Sequence, residues 1–172
     1  MKKSKQGSSR VELRRMTPAE QRQYRIEAVG LLADEQARAF GTAPAEARAQ
    51  AERAFDVLQQ QGDDAQRQHV FTLHFEAAPI GWLWFEVRGS GENAIAYLKD
   101  IHLHRPWRGR GLGLQAMRAF EDEARRAGCR SVVLNVFAHN AAAIGFYRKQ
   151  HYAVASHILR KDIQDTDPYH GP

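Results

Sequence analysis

Six residues from Arg108 to Gly113, RGRGLG, combine three glycines with two arginines between a predicted strand and a predicted helix. Glycines let a backbone approach a ligand closely, and a helix start presents unpaired N–H groups with a partial positive charge. This combination favours an anion, such as a phosphate or pyrophosphate group. The spacing matches neither a P-loop nor the G-x-G-x-x-G dinucleotide turn. The alternative is a turn that binds nothing.

A second group of residues that could do chemistry begins at Asn140. An asparagine is well suited to cap a helix start, and Ala143 and Tyr147 follow it at helical spacing. The three residues therefore share roughly one helix face, along which a cap, a small residue and a phenol line up. Core packing is the alternative, and for the adjacent Phe146 it is the better interpretation.

These residues need a scaffold, and the sequence predicts alternating strands and helices. The segment TPAE at 17–20 is a capping box with a proline at the first helical position. It predicts a helix to about Phe40, with room for one break, and Pro44 opens a second helix. Strands are predicted over 11–16, 69–76, 80–87, 94–104, 131–137 and 152–161, further helices over about 114–127 and 140–150, and a polar loop over 59–68. The order β-α-α-β-β-β-α-β-α-β predicts an α/β fold with a mixed sheet between helices.

Length and charge narrow the class of protein. A chain of 172 residues with 43% hydrophobic residues suits one compact domain, expected over 10–163 between a disordered basic tail (1–9) and a frayed tail (164–172). Four positive charges and no acid occur in residues 1–10, so most of the net charge of +5 lies there. The remainder is nearly neutral, and no nucleic-acid partner is expected.

Cysteine content and hydropathy bear on location. The sequence has one cysteine, Cys129, which excludes an internal disulfide and is expected to be buried and structural. It has no secretory signal and no apolar run long enough to span a bilayer, so a cytoplasmic protein without membrane contact is expected. The H-x-H pair of His102 and His104 supplies two ligands without an H-E-x-x-H or C-x-x-C partner, so no metal is expected.

The two motifs together carry a family resemblance. R-x-x-G-x-G begins at Arg108, and N-x-x-A-x-x-F-Y begins at Asn140. This pair resembles the GCN5-related N-acetyltransferase (GNAT) superfamily, and LNVFAHNAAAIGFYRKQHY is similar to a bacterial branch that carries L-x-V-F-x-H-N. The close match covers residues 94–161. The match is looser over 69–93, and residues 10–60 fit only the order of a first strand and two helices.

The resemblance implies an acetyl-CoA-dependent N-acetyltransferase that acts by direct attack of a primary amine, on a small molecule or a protein. It implies that Leu103 and Asn140 contact the pantetheine arm and that Tyr147 protonates the departing thiolate. A phenol with a reference pKa of about 10 can donate a proton to a thiolate whose conjugate acid has a pKa near 8.5. The pyrophosphate cradle would be formed by Arg108, Gly109, Arg110, Gly111, Leu112, Gly113 and Leu114.

The general base is left open. Many members of the superfamily carry a glutamate on the strand before the loop, where this sequence has Lys99, and another family location holds Asn135. Asp100 and His102 are the nearest substitutes and share one strand face, because they are two residues apart. The bacterial branch usually has aspartate at the first of these positions and an acid at the second. A histidine is a suitable base at neutral pH. For Asp100, a purely structural role is the alternative to catalysis.

Two other functions stay open. The missing glutamate allows a non-catalytic acyl-CoA-binding or regulatory module on the same fold, although pure binding needs no leaving-group acid such as Tyr147. A nucleic-acid-binding protein that uses the basic tail would show steep salt dependence of binding. A homodimer is compatible with the sequence but not specified by it.

Overall fold

The computed structural model describes residues 10–59 and 66–161, which fall into two compact units divided after Phe137. The predicted tails at 1–9 and 164–172, and the centre of the predicted loop at 60–65, lie outside the described residues. Within the two described ranges, no helix is long and apolar enough to cross a membrane.

The first unit contains a five-stranded mixed sheet in the order β1-β2-β3-β4-β5. The first four strands pair antiparallel, and β5 joins β4 in parallel. The strands are β1 (Glu12–Arg15), β2 (Gln68–Phe75), β3 (Ala78–Arg88), β4 (Ile95–Leu103) and β5 (Ser131–Leu134). The helices are α1 (Pro18–Phe40), α2 (Pro44–Asp56), α3 (Leu112–Arg126) and, in the second unit, α4 (Ala141–Lys149). This architecture confirms the predicted mixed α/β class.

Helix α1 begins where the capping box predicts. The backbone N–H of Glu20 donates to the Thr17 hydroxyl over 3.3 Å, and the Thr17 N–H donates to the Glu20 carboxylate over 2.8 Å. Both groups would otherwise be unpaired at the helix start. The helix runs unbroken to Phe40 and ends at Gly41, which has the left-handed conformation that glycine tolerates best (φ 63°).

The core has two layers, one on each face of the sheet. Trp84 and Phe85 are neighbours on β3 and therefore point to opposite faces. Trp84 packs on Phe55 of α2 with ring centroids 5.1 Å apart, and Phe85 packs on Phe120 of α3 at 5.2 Å. Helices therefore cover both faces, as predicted. Cys129 is buried, also as predicted.

The predicted strand over 152–161 is wrong, because the chain is irregular throughout residues 152–161. Alternating apolar residues form a strand only when a neighbouring strand pairs with them and the apolar face is buried. Here Ile158 and Leu159 are 75% and 92% exposed, so that burial is missing. Strand β5 is also shorter than predicted, since it ends at Leu134 and not at residue 137.

Candidate active site

The last part of β4 has an open edge. Pairing with β5 ends at Leu98 opposite Leu134, whereas pairing with β3 continues to Leu103 opposite Gly81. In the part of the chain that the structure describes, β5 therefore leaves residues 99–103 unpaired on one side. Backbone N–H and C=O groups on such an edge can pair with an extended ligand that contains amides.

A β-bulge lies where the pairing with β5 ends. Trp84 is opposite Asp100 and Phe85 is opposite Leu98, which makes Lys99 the additional residue. Bulges bend a strand and change the direction of the side chains that follow. The Lys99 ammonium lies 5.2 Å from the centre of the Trp84 ring, and burial lowers the pKa of Lys99. The position at which the resemblance leads one to expect a glutamate thus carries a cation placed over an indole ring.

The glycine loop, residues 108–113, connects β4 to α3 after a short 3₁₀ turn. Gly109 and Gly111 both have left-handed backbones, with φ of 72° and 75°. Gly111 is the N-cap of α3 and, as a glycine, has no side chain with which to cap the first helical turn. Leu112 and Leu114 lie in that turn, so the structure brings the predicted cradle of residues 108–114 together at one helix N-terminus. Such a terminus favours an anion.

The two arginine side chains of the glycine loop have different surroundings. Arg108 Nε donates to the carbonyl oxygen of Leu103 over 2.7 Å, and Arg108 Nη2 lies 3.2 Å from His102 Nε2. Arg110 lies over the Trp107 ring, 4.9 Å from its centre. Arg108 therefore connects the loop to the open edge of β4, whereas Arg110 contacts the 3₁₀ turn that precedes the loop.

A polar cluster, consisting of Tyr24, Trp82, Asp100 and His102, lies between α1 and the sheet. Asp100 Oδ2 accepts hydrogen bonds from Trp82 Nε1 at 2.7 Å and from the Tyr24 hydroxyl at 3.0 Å. Burial raises the pKa of Asp100 to about 6, although these two hydrogen bonds and one from the Ile101 backbone act to lower it. Burial, with the Asp100 charge, also raises the pKa of Tyr24 well above its usual value, so Tyr24 remains a donor.

His102 is half-buried, as is Asp100, whereas Tyr24 and Trp82 are buried. The His102 ring stacks on Trp82 with centroids 4.4 Å apart and planes 12° apart. Burial, together with the charges of Arg108 and His104, lowers the pKa of His102 to about 4, and Glu27 of α1 acts in the opposite direction. The imidazole is therefore neutral at neutral pH.

The second unit holds the other two predicted site residues. Asn140 Oδ1 accepts from the backbone N–H of Ala143 at 3.0 Å, which confirms the predicted helix cap. Tyr147 packs edge-on against Phe146 with centroids 5.4 Å apart, and its ring lies 5.6 Å from that of Tyr152. The phenol is thus embedded in an aromatic group within its own unit.

Sequence reasoning missed two residues of α1. Tyr24 is 3% exposed and reaches Asp100 from 76 positions away in the chain. Glu27 lies one helical turn further and acts electrostatically on His102. The available signal was weak: a tyrosine on the buried stripe of a helix has a hydroxyl that needs a partner. Trp82 of β3 also donates to Asp100.

A profile of the acetyltransferase (GNAT) family matches residues 32–152. The chain belongs to this family. This GNAT protein is 29% identical to YycN of Bacillus subtilis strain 168 over 132 residues, which cover 76% of the chain and 85% of YycN. It is 28% identical to YdgE of the same organism over 119 residues, or 69% of the chain and 76% of YdgE. Both relatives are named as uncharacterised N-acetyltransferases.

Solved structures agree with this assignment. The crystal structure of YycN matches 90% of this chain and 99% of its own, with a TM-score of 0.81 and 28% identity. The aminoglycoside acetyltransferase AAC(6')-Iy, in complex with a bisubstrate analogue, matches 91% of this chain and 99% of its own with a TM-score of 0.56. At 15% identity that second likeness shows the fold alone.

Proposed function

We propose that this GNAT protein transfers an acetyl group from acetyl-CoA to a primary amine. The observation that supports this most is the open edge of β4 leading into the glycine loop. An extended arm with two amides joined to a pyrophosphate, as in coenzyme A, suits an unpaired strand edge followed by a helix N-terminus. The bisubstrate analogue bound by AAC(6')-Iy contains CoA, which is consistent with this proposal. The segment at 134–140, LNVFAHN, supports assignment to the bacterial branch.

The proposed acetyl-CoA contacts are mainly backbone groups. The pantetheine arm would pair with β4 near Leu103 and accept a hydrogen bond from the Asn140 amide. The pyrophosphate would accept hydrogen bonds from the backbone N–H groups of residues 108–114. Because Arg108 already donates to Leu103 and lies against His102, we assign its side chain a smaller share of pyrophosphate binding than the backbone.

In the proposed reaction the amine nitrogen attacks the thioester carbonyl carbon. A C–N bond forms, the C–S bond breaks, the amine loses one proton, and the thiolate takes one from the Tyr147 phenol. A backbone N–H on the open edge of β4 would donate to the oxyanion of the tetrahedral intermediate, since it is fixed before the charge develops.

Asp100 is the better of the two candidate bases. With a pKa of about 6 it is ionised at neutral pH and is basic enough to take a proton. His102, with a pKa of about 4, is a weak base, and its Nε2 faces a guanidinium. Since Asp100 is half-buried and its Oδ2 already accepts from Trp82 and Tyr24, we propose that it acts through an intervening water.

Lys99, which lies over the Trp84 ring at the family's glutamate position, favours a second candidate, an acyl-CoA-binding module without catalysis. A direct assay separates the two. Release of the CoA thiol from acetyl-CoA would be measured with a panel of primary amines, for the wild type, Tyr147→Phe and Asp100→Asn. Tyr152→Phe is a matched control, because it removes a phenol from the same unit.

If the protein is an enzyme, we expect amine-dependent thiol release. Its rate should fall by about 100-fold or more in Tyr147→Phe and in Asp100→Asn, but not in Tyr152→Phe. Acetyl-CoA binding without thiol release, across amines of small molecules and peptides, would instead support the binding module.

A further inference from the structure

Arg108 reaches back from the glycine loop to the end of β4 and fixes two groups there. Its Nε donates to the Leu103 carbonyl at 2.7 Å, which anchors the guanidinium plane. From that anchored position Nη2 lies 3.2 Å from His102 Nε2. Arg108 thus contacts the imidazole of the polar cluster.

This contact selects one form of the imidazole. A guanidinium has only donors and stays protonated in proteins. At hydrogen-bond distance it is compatible with His102 only when Nε2 is an acceptor, and in a neutral imidazole the proton is then on Nδ1. An imidazolium would place an N–H and a second positive charge against Arg108, which is unfavourable on both counts.

The ring cannot readily turn away from this contact. One of its faces stacks on Trp82 with planes 12° apart. The indole itself is fixed, because it is 5% exposed and its Nε1 donates to Asp100 over 2.7 Å. His102 is therefore held on one face by β3 and at one ring nitrogen by the glycine loop.

The charged and titratable groups that face His102 come from several elements. Arg108 of the glycine loop and His104, which follows β4, disfavour a charged imidazole. Glu27 of α1 favours one, but burial and the two other groups outweigh it. Asp100 lies on the same strand face, and its Oδ2 is shared by Tyr24 and Trp82.

We propose that Arg108 is a positioning residue that holds His102 as a neutral imidazole with its proton on Nδ1, so that His102 acts on substrate as a hydrogen-bond donor and not as the base. The first half of this inference concerns the protein alone. The second half rests on the proposed acetyl transfer, in which a neutral donor near the open edge of β4 can bind substrate without competing with Asp100 for the proton.

Nitrogen-15 NMR of histidine-labelled protein tests the inference without acetyl-CoA, so its failure is distinct from failure of the acetyltransferase assay. Two-bond proton–nitrogen spectra show which ring nitrogen is protonated, and His102→Gln identifies the resonances of His102. For the wild type we expect a neutral Nδ1–H tautomer throughout pH 5–8. Finding Nε2–H as the main wild-type tautomer would overturn the proposal, with no variant needed.

Variants separate the role of Arg108 from general charge effects. In Arg108→Met we expect the Nδ1–H preference to be lost and the pKa of His102 to rise by about one unit. Arg110→Met is the matched control, because it removes the same charge from the same loop and should leave both readouts unchanged. Unchanged readouts in folded Arg108→Met, or an equal change in Arg110→Met, would contradict the proposal.

Discussion

The glycine loop and the polar cluster both adjoin the end of β4, but they are built in different ways. The loop is one continuous segment whose chemistry comes from backbone: two left-handed glycines and the first turn of α3. The cluster draws side chains from α1, β3 and β4, with Tyr24 and Asp100 joined across 76 positions of sequence. A site made from contiguous backbone can be read as a motif, whereas one made from distant side chains depends on the fold that assembles it.

The two regions also differ in the space around their glycines. Among the described residues other than its two chain neighbours, a Cβ added at Gly109 or Gly111 would meet no atom within 4 Å. A Cβ at Gly81, beside the polar cluster, would lie 1.9 Å from the carbonyl oxygen of His102. The loop therefore needs glycine for backbone conformation, and the cluster needs it for close strand contact.

The largest expected effect comes from filling that close contact. Gly81→Ala should destabilise the protein by about 3 kcal/mol, since β3 and β4 must move apart to admit the methyl group. Gly30→Ala is the matched control, because it lies inside α1 with nothing within 4 Å of the added Cβ. It should stabilise by about 0.5–1 kcal/mol. Urea unfolding measures both, and equal stability of Gly81→Ala and wild type would show that the contact is not tight.

Opposite pH dependences should distinguish the two titrating members of the polar cluster. The pKa of Asp100 is raised from 3.8 to about 6, so the native state binds this proton more tightly than the unfolded state does. Its contribution to the free energy of unfolding, up to about 3 kcal/mol, is present below pH 4 and is lost as the pH rises through 6. His102 has its pKa lowered from 6.5 to about 4, so its contribution is present above pH 6.5 and is lost as the pH falls through 4.

In the wild type these two contributions oppose each other. Asp100→Asn should leave the His102 contribution, so stability should increase more steeply from pH 4 to 6.5 than in the wild type. His102→Gln should leave the Asp100 contribution and make stability decrease over the same range relative to the wild type. Denaturant unfolding at several pH values measures the slopes. If both variants keep the wild-type slope, the two pKa shifts are absent.

The difference between contiguous segments and distant side chains also explains which parts of the fold and of the site the sequence could predict. The capping box at Thr17, the start of α2 at Pro44 and the cap at Asn140 are local signals, and the structure confirms all three. The bulge at Lys99 and the partnership of Tyr24 with Asp100 depend on strand register and helix placement, which no local pattern encodes. The predicted last strand is wrong for a related reason, since alternation cannot specify a pairing partner.

A smaller effect separates two roles of Asn140. Its Oδ1 caps α4, and its amide N–H is the proposed pantetheine donor. Asn140→Asp keeps the capping oxygen but removes the amide donor, so it should keep stability and weaken acetyl-CoA binding. Asn140→Ala should lose both, with a destabilisation of about 1 kcal/mol. Thermal melting and calorimetric titration with acetyl-CoA measure the two properties. Wild-type affinity in Asn140→Asp would remove Asn140 from the proposed site.

The central claim is that the glycine loop binds the pyrophosphate of acetyl-CoA, and a charge-matched pair at Gly111 tests it most directly. Asparagine and aspartate both tolerate the left-handed backbone found there and have nearly the same shape, but aspartate adds a negative charge and lacks the amide donor. Stability would be measured by thermal melting with acetyl-CoA at 100 times the wild-type dissociation constant, which should add about 2.7 kcal/mol to the wild type. Gly111→Asn should keep much of that gain and Gly111→Asp should lose it. No gain in the wild type, or equal gains in the two variants, would contradict the claim.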